Sequence, residues 1–139
     1  MIKVLIISIL FISSSCLNKK CDDAFENARE QKRDTSLLYL WRYTDNLIYP
    51  DGINTDSGYI SYKQNGDYCW AHERKYINSF ADIWYSQSDL IVRTYCLDNV
   101  PEQKKIKYHV KSDTLYLYGG MGDGTFDITP KTYIKVLKH

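Results

Sequence analysis

Lys105-Ile106-Lys107-Tyr108-His109-Val110-Lys111-Ser112-Asp113-Thr114-Leu115-Tyr116-Leu117-Tyr118 is the stretch that decides the fold. Ile106, Tyr108 and Val110 share one face of an extended segment, with Lys105, Lys107 and His109 on the other. That period of two belongs to a half-buried strand and not to a helix. After Lys111-Ser112-Asp113 the alternation resumes, with Leu115 and Leu117 set against Tyr116 and Tyr118. Two alternating runs around a short polar turn make an antiparallel hairpin.

The same grammar extends in both directions. Phe80–Tyr85 and Leu90–Cys96 pair across Ser86-Gln87-Ser88-Asp89. Tyr59–Gln64 and Asp67–Glu73 flank Asn65-Gly66, which predicts a type I′ turn because both central positions need positive φ. Leu37–Tyr43 supplies a first strand and Thr132–Leu137 a last one. Pro50-Asp51-Gly52 and Val100-Pro101-Glu102 mark loops. These are eight short strands joined mainly by hairpins, with no long helix and no fixed-period repeat. Sequential antiparallel strands lose their exposed edges by closing, so the expected fold is all-β, an eight-stranded up-and-down barrel. Eight strands give an interior filled by side chains or roomy enough for one small ligand.

The N-terminus reads differently. Met1-Ile2-Lys3 precedes the apolar run Val4–Ile12, then Ser13-Ser14-Ser15-Cys16. A positive start, a short apolar run and small residues make a secretory signal. The run is too short for a membrane span, which needs roughly 20 residues. Small residues before a cysteine resemble the lipobox of bacterial lipoproteins, although Ser13 stands where that family usually has Leu. The resemblance implies lipidation at Cys16, a membrane anchor and a place in the bacterial cell envelope, with the outer membrane preferred. Plain secretion after Ser15 is the alternative. Residues 1–15 are thus expected to be a signal peptide, 16–35 a tether with a short helical stretch, and 36–139 the barrel. Asp22-Asp23 and Lys32-Arg33 bracket that stretch with charges suited to a helix dipole.

Composition narrows the function. Without Lys3, the 18 basic residues fall to 17, level with 17 acidic ones. No global field favours nucleic acid, so no nucleic-acid partner is expected. Three cysteines remain after Cys16, enough for one disulfide in an oxidising compartment. Cys69 and Cys96 lie two strands apart, about 10 Å, too far to bridge. Cys21, on the preceding segment, can reach either, and Cys21–Cys96 is the favoured pair. A buried, unpaired Cys69 is the accompanying alternative.

Catalytic signatures are missing. No Gly-x-Ser-x-Gly and no Cys–His context occurs. His72 and His109 have no spacing that supports a metal, and no cofactor is expected. Gly119-Gly120-Met121-Gly122-Asp123-Gly124 lacks the Lys-Ser/Thr and the following helix of a phosphate loop, so it reads as a loop at the barrel rim. The 13 tyrosines, with Trp41, Trp70 and Trp84, suit half-buried strands and pocket walls alike. Tyr39, Trp41 and Tyr43 share one strand face and Tyr68 and Trp70 another. With Trp84 they are the candidates to line a cavity.

Tyr59-Ile60-Ser61-Tyr62-Lys63-Gln64-Asn65-Gly66-Asp67-Tyr68, Ile83–Leu90 and Tyr108–Leu117 are similar to stretches of the bacterial lipocalin-like lipoproteins. Those proteins combine an Asn/Asp-Gly hairpin, a Trp-containing strand and a strand beginning Asp-Thr-Leu. They end on an aromatic-basic strand like Tyr133-Ile134-Lys135-Val136. The likeness covers residues 36–137. The lipocalin Gly-x-Trp is absent, since Tyr39-Leu40 precede Trp41. The resemblance implies a non-catalytic protein that takes a small, partly apolar ligand into the barrel. A protein-binding lipoprotein with a filled barrel, an inhibitor or envelope assembly factor, is the alternative.

Overall fold

The computed structural model describes residues 19–49, 52–77, 80–121 and 125–136. Its strands are β1 (Leu40–Tyr49), β2 (Gly52–Tyr62), β3 (Asp67–Ala71), β4 (Phe80–Gln87), β5 (Leu90–Leu97), β6 (Val100–Lys111), β7 (Thr114–Tyr118), β8 (Gly120–Met121), β9 (Thr125–Phe126) and β10 (Lys131–Lys135). Eight of them form a closed antiparallel barrel in the order β1-β10-β7-β6-β5-β4-β3-β2. Each barrel strand pairs with its neighbour in sequence, β8 and β9 aside, and Trp41↔Lys135 and Arg42↔Ile134 close the ring. The small β8–β9 hairpin occupies the glycine-rich rim segment, of which residues 122–124 lie outside the described residues.

Turn chemistry accounts for the registers. Leu97↔Val100 leaves Asp98 and Asn99 as a two-residue loop, and both have positive φ, 50° and 62°. This is the type I′ turn, made by the two residue types that tolerate the left-handed region best after glycine. The loop expected at Val100-Pro101-Glu102 is instead the start of β6. Pro101 is accommodated because β7 pairs only with Lys107–Lys111, leaving this part of β6 without that neighbour. Asn65-Gly66 is not type I′. Only Gly66 has positive φ, its N–H bonds Lys63 O at 3.0 Å, and Lys63 N bonds Asp67 O at 2.9 Å. That is a three-residue loop, a type I turn closed by a left-handed glycine.

The long hairpin β1–β2 was only partly visible in sequence. Pairing runs from Leu40↔Ser61 to Tyr49↔Gly52, whereas β10 holds only Trp41 and Arg42, and β3 only Tyr59–Tyr62. The hairpin therefore continues beyond the barrel wall as a two-stranded ribbon.

The segment expected as a tether packs on the barrel from residue 19 onward. Residues 19–29 form helix α1, and Cys21 and Ala28 are buried. A disulfide joins Cys21 to Cys96, with Cα atoms 6.1 Å apart. At the other end, Arg29 meets Asp67 at 2.9 Å and Asn65 O at 2.7 Å, and Arg33 Nε donates to Trp84 O at 3.2 Å. Ala24 and Ala28 face Tyr85 and Gln103. α1 thus lies over the outer wall of β4–β6. That position explains why Ile83, Val92 and Thr94, which point away from the interior, are nevertheless buried. Small side chains let the helix approach closely, which is why its apolar content looked meagre in sequence.

The chain then crosses one end of the barrel and seals it. The 3₁₀ turn Thr35–Leu37 drives Leu37 into the interior, where it is fully buried with Trp41, Trp84, Ile91 and Leu115. Each such aliphatic side chain contributes roughly 1.5–3 kcal/mol by burial. Leu37 therefore belongs to the core and not to the first strand. Trp41 Nε1 donates to Leu37 O at 3.1 Å and Trp84 Nε1 to Lys63 O at 3.0 Å, so neither indole is left unsatisfied.

Candidate functional site

Above this packed floor the interior changes character. Tyr62 on β2 pairs with Tyr68 on β3, and Tyr68 pairs with Asp82 on β4. Facing residues of an antiparallel pair share a face, so all three point inward. Arg93 on β5 extends the band: its Nε donates to Asp82 Oδ2 at 2.8 Å, Nη2 reaches the same oxygen, and the guanidinium lies 3.8 Å from the Tyr68 ring centroid. Burial works against the Arg93 charge, but Tyr68 and the Asp82 carboxylate outweigh it and hold its pKa above the ordinary arginine range.

Across the barrel stand Ile106, Leu117 and Tyr133. Together the two walls enclose a cavity of about 280 Å³ whose mouth carries Lys104, Asp127, Thr129 and Lys131. The mouth is at the end opposite Leu37. Such a volume is just under the roughly 300–1,000 Å³ of common ligand sites, so it suits a small molecule. Tyr62 Oη is buried at the cavity wall without a hydrogen-bond partner. Burial pushes the Tyr62 phenol well above its ordinary pKa, and burial also raises Tyr68. Both phenols are neutral donors at physiological pH. An unsatisfied buried hydroxyl costs about 1–3 kcal/mol, which a ligand acceptor would return.

The six residues proposed from sequence to line a cavity separate into four groups. Tyr68 lines it. Tyr43 stands beside it, its ring 5.3 Å from Tyr133 and 3.6 Å from Lys131 Nζ. That ring lies over Gly58, where a Cβ would come within 2.7 Å of it, so the glycine makes its place. Trp41 and Trp84 belong to the packed floor and do not line the cavity. Tyr39 and Trp70 are exposed, Tyr39 edge-on to Trp41 at the sealed end and Trp70 beside His72, 5.3 Å between rings, where β3 runs past the start of β4.

Sequence reasoning missed Tyr62, Arg93 and Tyr133. Tyr62 was legible, since it follows Ile60 at the strand period. Arg93 had a signal too: it is a charge at an inward position after Ile91, and such a residue needs a buried partner.

A larger groove of about 640 Å³ lies on the outer wall beside Arg42, Tyr59, Arg74 and Ile134. None of its described lining side chains is a buried polar group without a partner, which leaves the interior as the better site. Cys69 is free and buried, with its thiol pKa raised by that burial. His109 stacks on its cross-strand neighbour Tyr116, rings 6.0 Å apart. Among the described residues no group of three or more His, Cys, Asp or Glu side chains could hold a metal ion, and no helix is long and apolar enough to cross a membrane. Cys16 lies outside the described residues. No protein-family model, curated protein or solved structure matches the chain.

Proposed function

We propose that this protein is a non-catalytic lipoprotein of the bacterial cell envelope that holds one small, partly apolar ligand in its barrel. The observation that carries this reading is the buried, unpartnered Tyr62 hydroxyl at the wall of an end-open cavity. Ile106, Leu117 and Tyr133 offer an apolar and aromatic wall for the ligand body. Tyr62 offers a hydrogen bond, and Lys104 and Lys131 offer charge at the mouth. A few polar groups set into an apolar cavity give orientation and specificity. The lipobox-like Ser13-Ser14-Ser15-Cys16 and the similarity to lipocalin-like lipoproteins support the same reading.

Native mass spectrometry of the mature chain, purified from an oxidising compartment, tests it. The expected result is a stoichiometric added mass that disappears on denaturation. Leu117→Trp should abolish the adduct by filling the cavity while the fold persists. A bare mass for the unaltered chain, with no uptake from a total lipid and metabolite extract, would overturn the proposal.

A further inference from the structure

The two ends of the barrel differ sharply in surface chemistry. The sealed end carries the β2–β3, β4–β5 and β6–β7 turns, built from Gln64, Asn65, Ser88, Asp89, Ser112 and Asp113. The open end carries the β3–β4, β5–β6 and β9–β10 connections, and the β1–β2 ribbon projects from the same end. Seven large hydrophobic side chains are exposed among the described residues, and five of them are here: Trp70, Tyr76, Leu97, Val100 and Ile128. Ile128 is 96% exposed. Scattered exposed apolar residues need no explanation, but their collection at one end does.

The disulfide adds a second, independent observation. Cys96 immediately precedes Leu97 at the tip of β5–β6, so the Cys21–Cys96 bond fixes the start of α1 to the open end. Cys16 is only five residues before Cys21, a stretch that can span no more than about 18 Å. A lipid on Cys16 would therefore hold the open end, and not the sealed end, against the membrane.

We infer that the open end of the barrel docks on the bilayer, with Leu97, Val100, Ile128, Trp70 and Tyr76 set into its surface and the cavity mouth facing the lipid. This rests on lipid anchorage at Cys16. The rim chemistry fits a lipid interface: aliphatic side chains reach toward the acyl region, while Trp and Tyr settle at headgroup level. Among the described rim side chains outside the ribbon, charge is balanced, Glu73, Asp98, Glu102 and Asp127 against Arg74, Lys75, Lys104 and Lys131. The contact is accordingly apolar and insensitive to salt. A ligand dissolved in the membrane then enters the barrel without crossing bulk water.

The test uses the full-length, lipid-anchored protein reconstituted into phosphatidylcholine vesicles, with and without brominated acyl chains. Trp41 and Trp84 are fully buried, so Trp70 is the tryptophan able to meet the quencher. The expected result is quenching by brominated lipid, at low and high salt, that disappears in Trp70→Phe. Leu97→Glu with Ile128→Glu should also remove it while the protein stays anchored and folded. Ile134→Glu, on the side wall, should leave it unchanged. Failure to incorporate into vesicles would overturn the anchor and this inference with it. Incorporation without quenching would overturn the inference alone and assign the apolar rim to a protein partner.

Discussion

At the scale of single residues, the Asp82–Arg93 pair sets the character of the interior. Both side chains are mostly buried, at 12% and 20% exposure, so neither charge has water to fall back on. Removing one partner strands the other, which typically costs about 3–5 kcal/mol. Asp82→Asn and Arg93→Met should each lower stability by that order in urea unfolding. The double change to Asp82→Leu and Arg93→Met should recover most of the loss, since an apolar pair of similar volume can replace a buried ion pair at little net cost. It should also remove the cation over Tyr68 and weaken ligand retention. Equal destabilisation by the double and single changes would contradict this account of the pair.

At the scale of elements, the segment between α1 and β1 is the seal. Asp34 accepts a hydrogen bond from Tyr108 Oη at 2.6 Å and from Ser36 N at 2.9 Å, and its own N–H bonds Ser86 Oγ at 2.7 Å. Burial opposes the Asp34 charge, but these bonds prevail and lower its pKa. The Tyr108 phenol is raised, first by burial and then by Asp34. The signs follow from linkage. A lowered carboxyl pKa contributes stability that is present at neutral pH and lost as pH falls below about 4. A raised phenol pKa contributes stability that is lost as pH climbs above about 10, where the unfolded chain ionises first. Asp34→Asn should flatten the acid limb of a thermal-midpoint profile, and Tyr108→Phe the alkaline limb. An unchanged profile in both would contradict the seal.

The disulfide acts on the neighbouring element. It closes a separation of 75 residues, so chain entropy alone sets its contribution at about 4 kcal/mol. Cys21→Ser with Cys96→Ser should lower stability by up to that amount and raise hydrogen exchange on the outer faces of β4 and β5. Protection equal to that of the unaltered chain would separate α1 from the cover of that wall.

The strands that could be read in sequence are those where burial and period coincide. Lys105–Val110 and Thr114–Tyr118 alternate because one face meets the core. The outer part of β1–β2 could not be read: Thr44-Asp45-Asn46 and Thr55-Asp56-Ser57 pair with each other where neither β10 nor β3 continues the sheet, and these polar runs carry no period of two. The helical stretch of α1 was legible from its charges, but its packing on the barrel was not, since Ala24 and Ala28 carry too little apolar surface to announce a packed face. Within the site, Tyr68 followed from periodicity. The aromatic rule misplaced Trp41 and Trp84, because large indoles with backbone partners fill the floor and not the wall. No local pattern could announce that the Asp82 carboxylate on one strand meets Arg93 on the next.

At the scale of the whole molecule, the barrel has a packed half and a hollow half. The packed half is filled by Leu37, Trp41, Trp84, Ile91 and Leu115, all fully buried. The hollow half tolerates an ion pair and an unsatisfied phenol, each unfavourable unless something else gains from it. A ligand is that gain in this account. The most direct test is a high-resolution crystal structure of the protein purified, without added ligand, from the cells that make it. The expected result is density for a small molecule between Tyr62, Tyr68 and Tyr133, with an acceptor about 2.5–3.0 Å from Tyr62 Oη. A cavity collapsed by side-chain repacking, with Tyr62 Oη bonded to a protein acceptor, would contradict it.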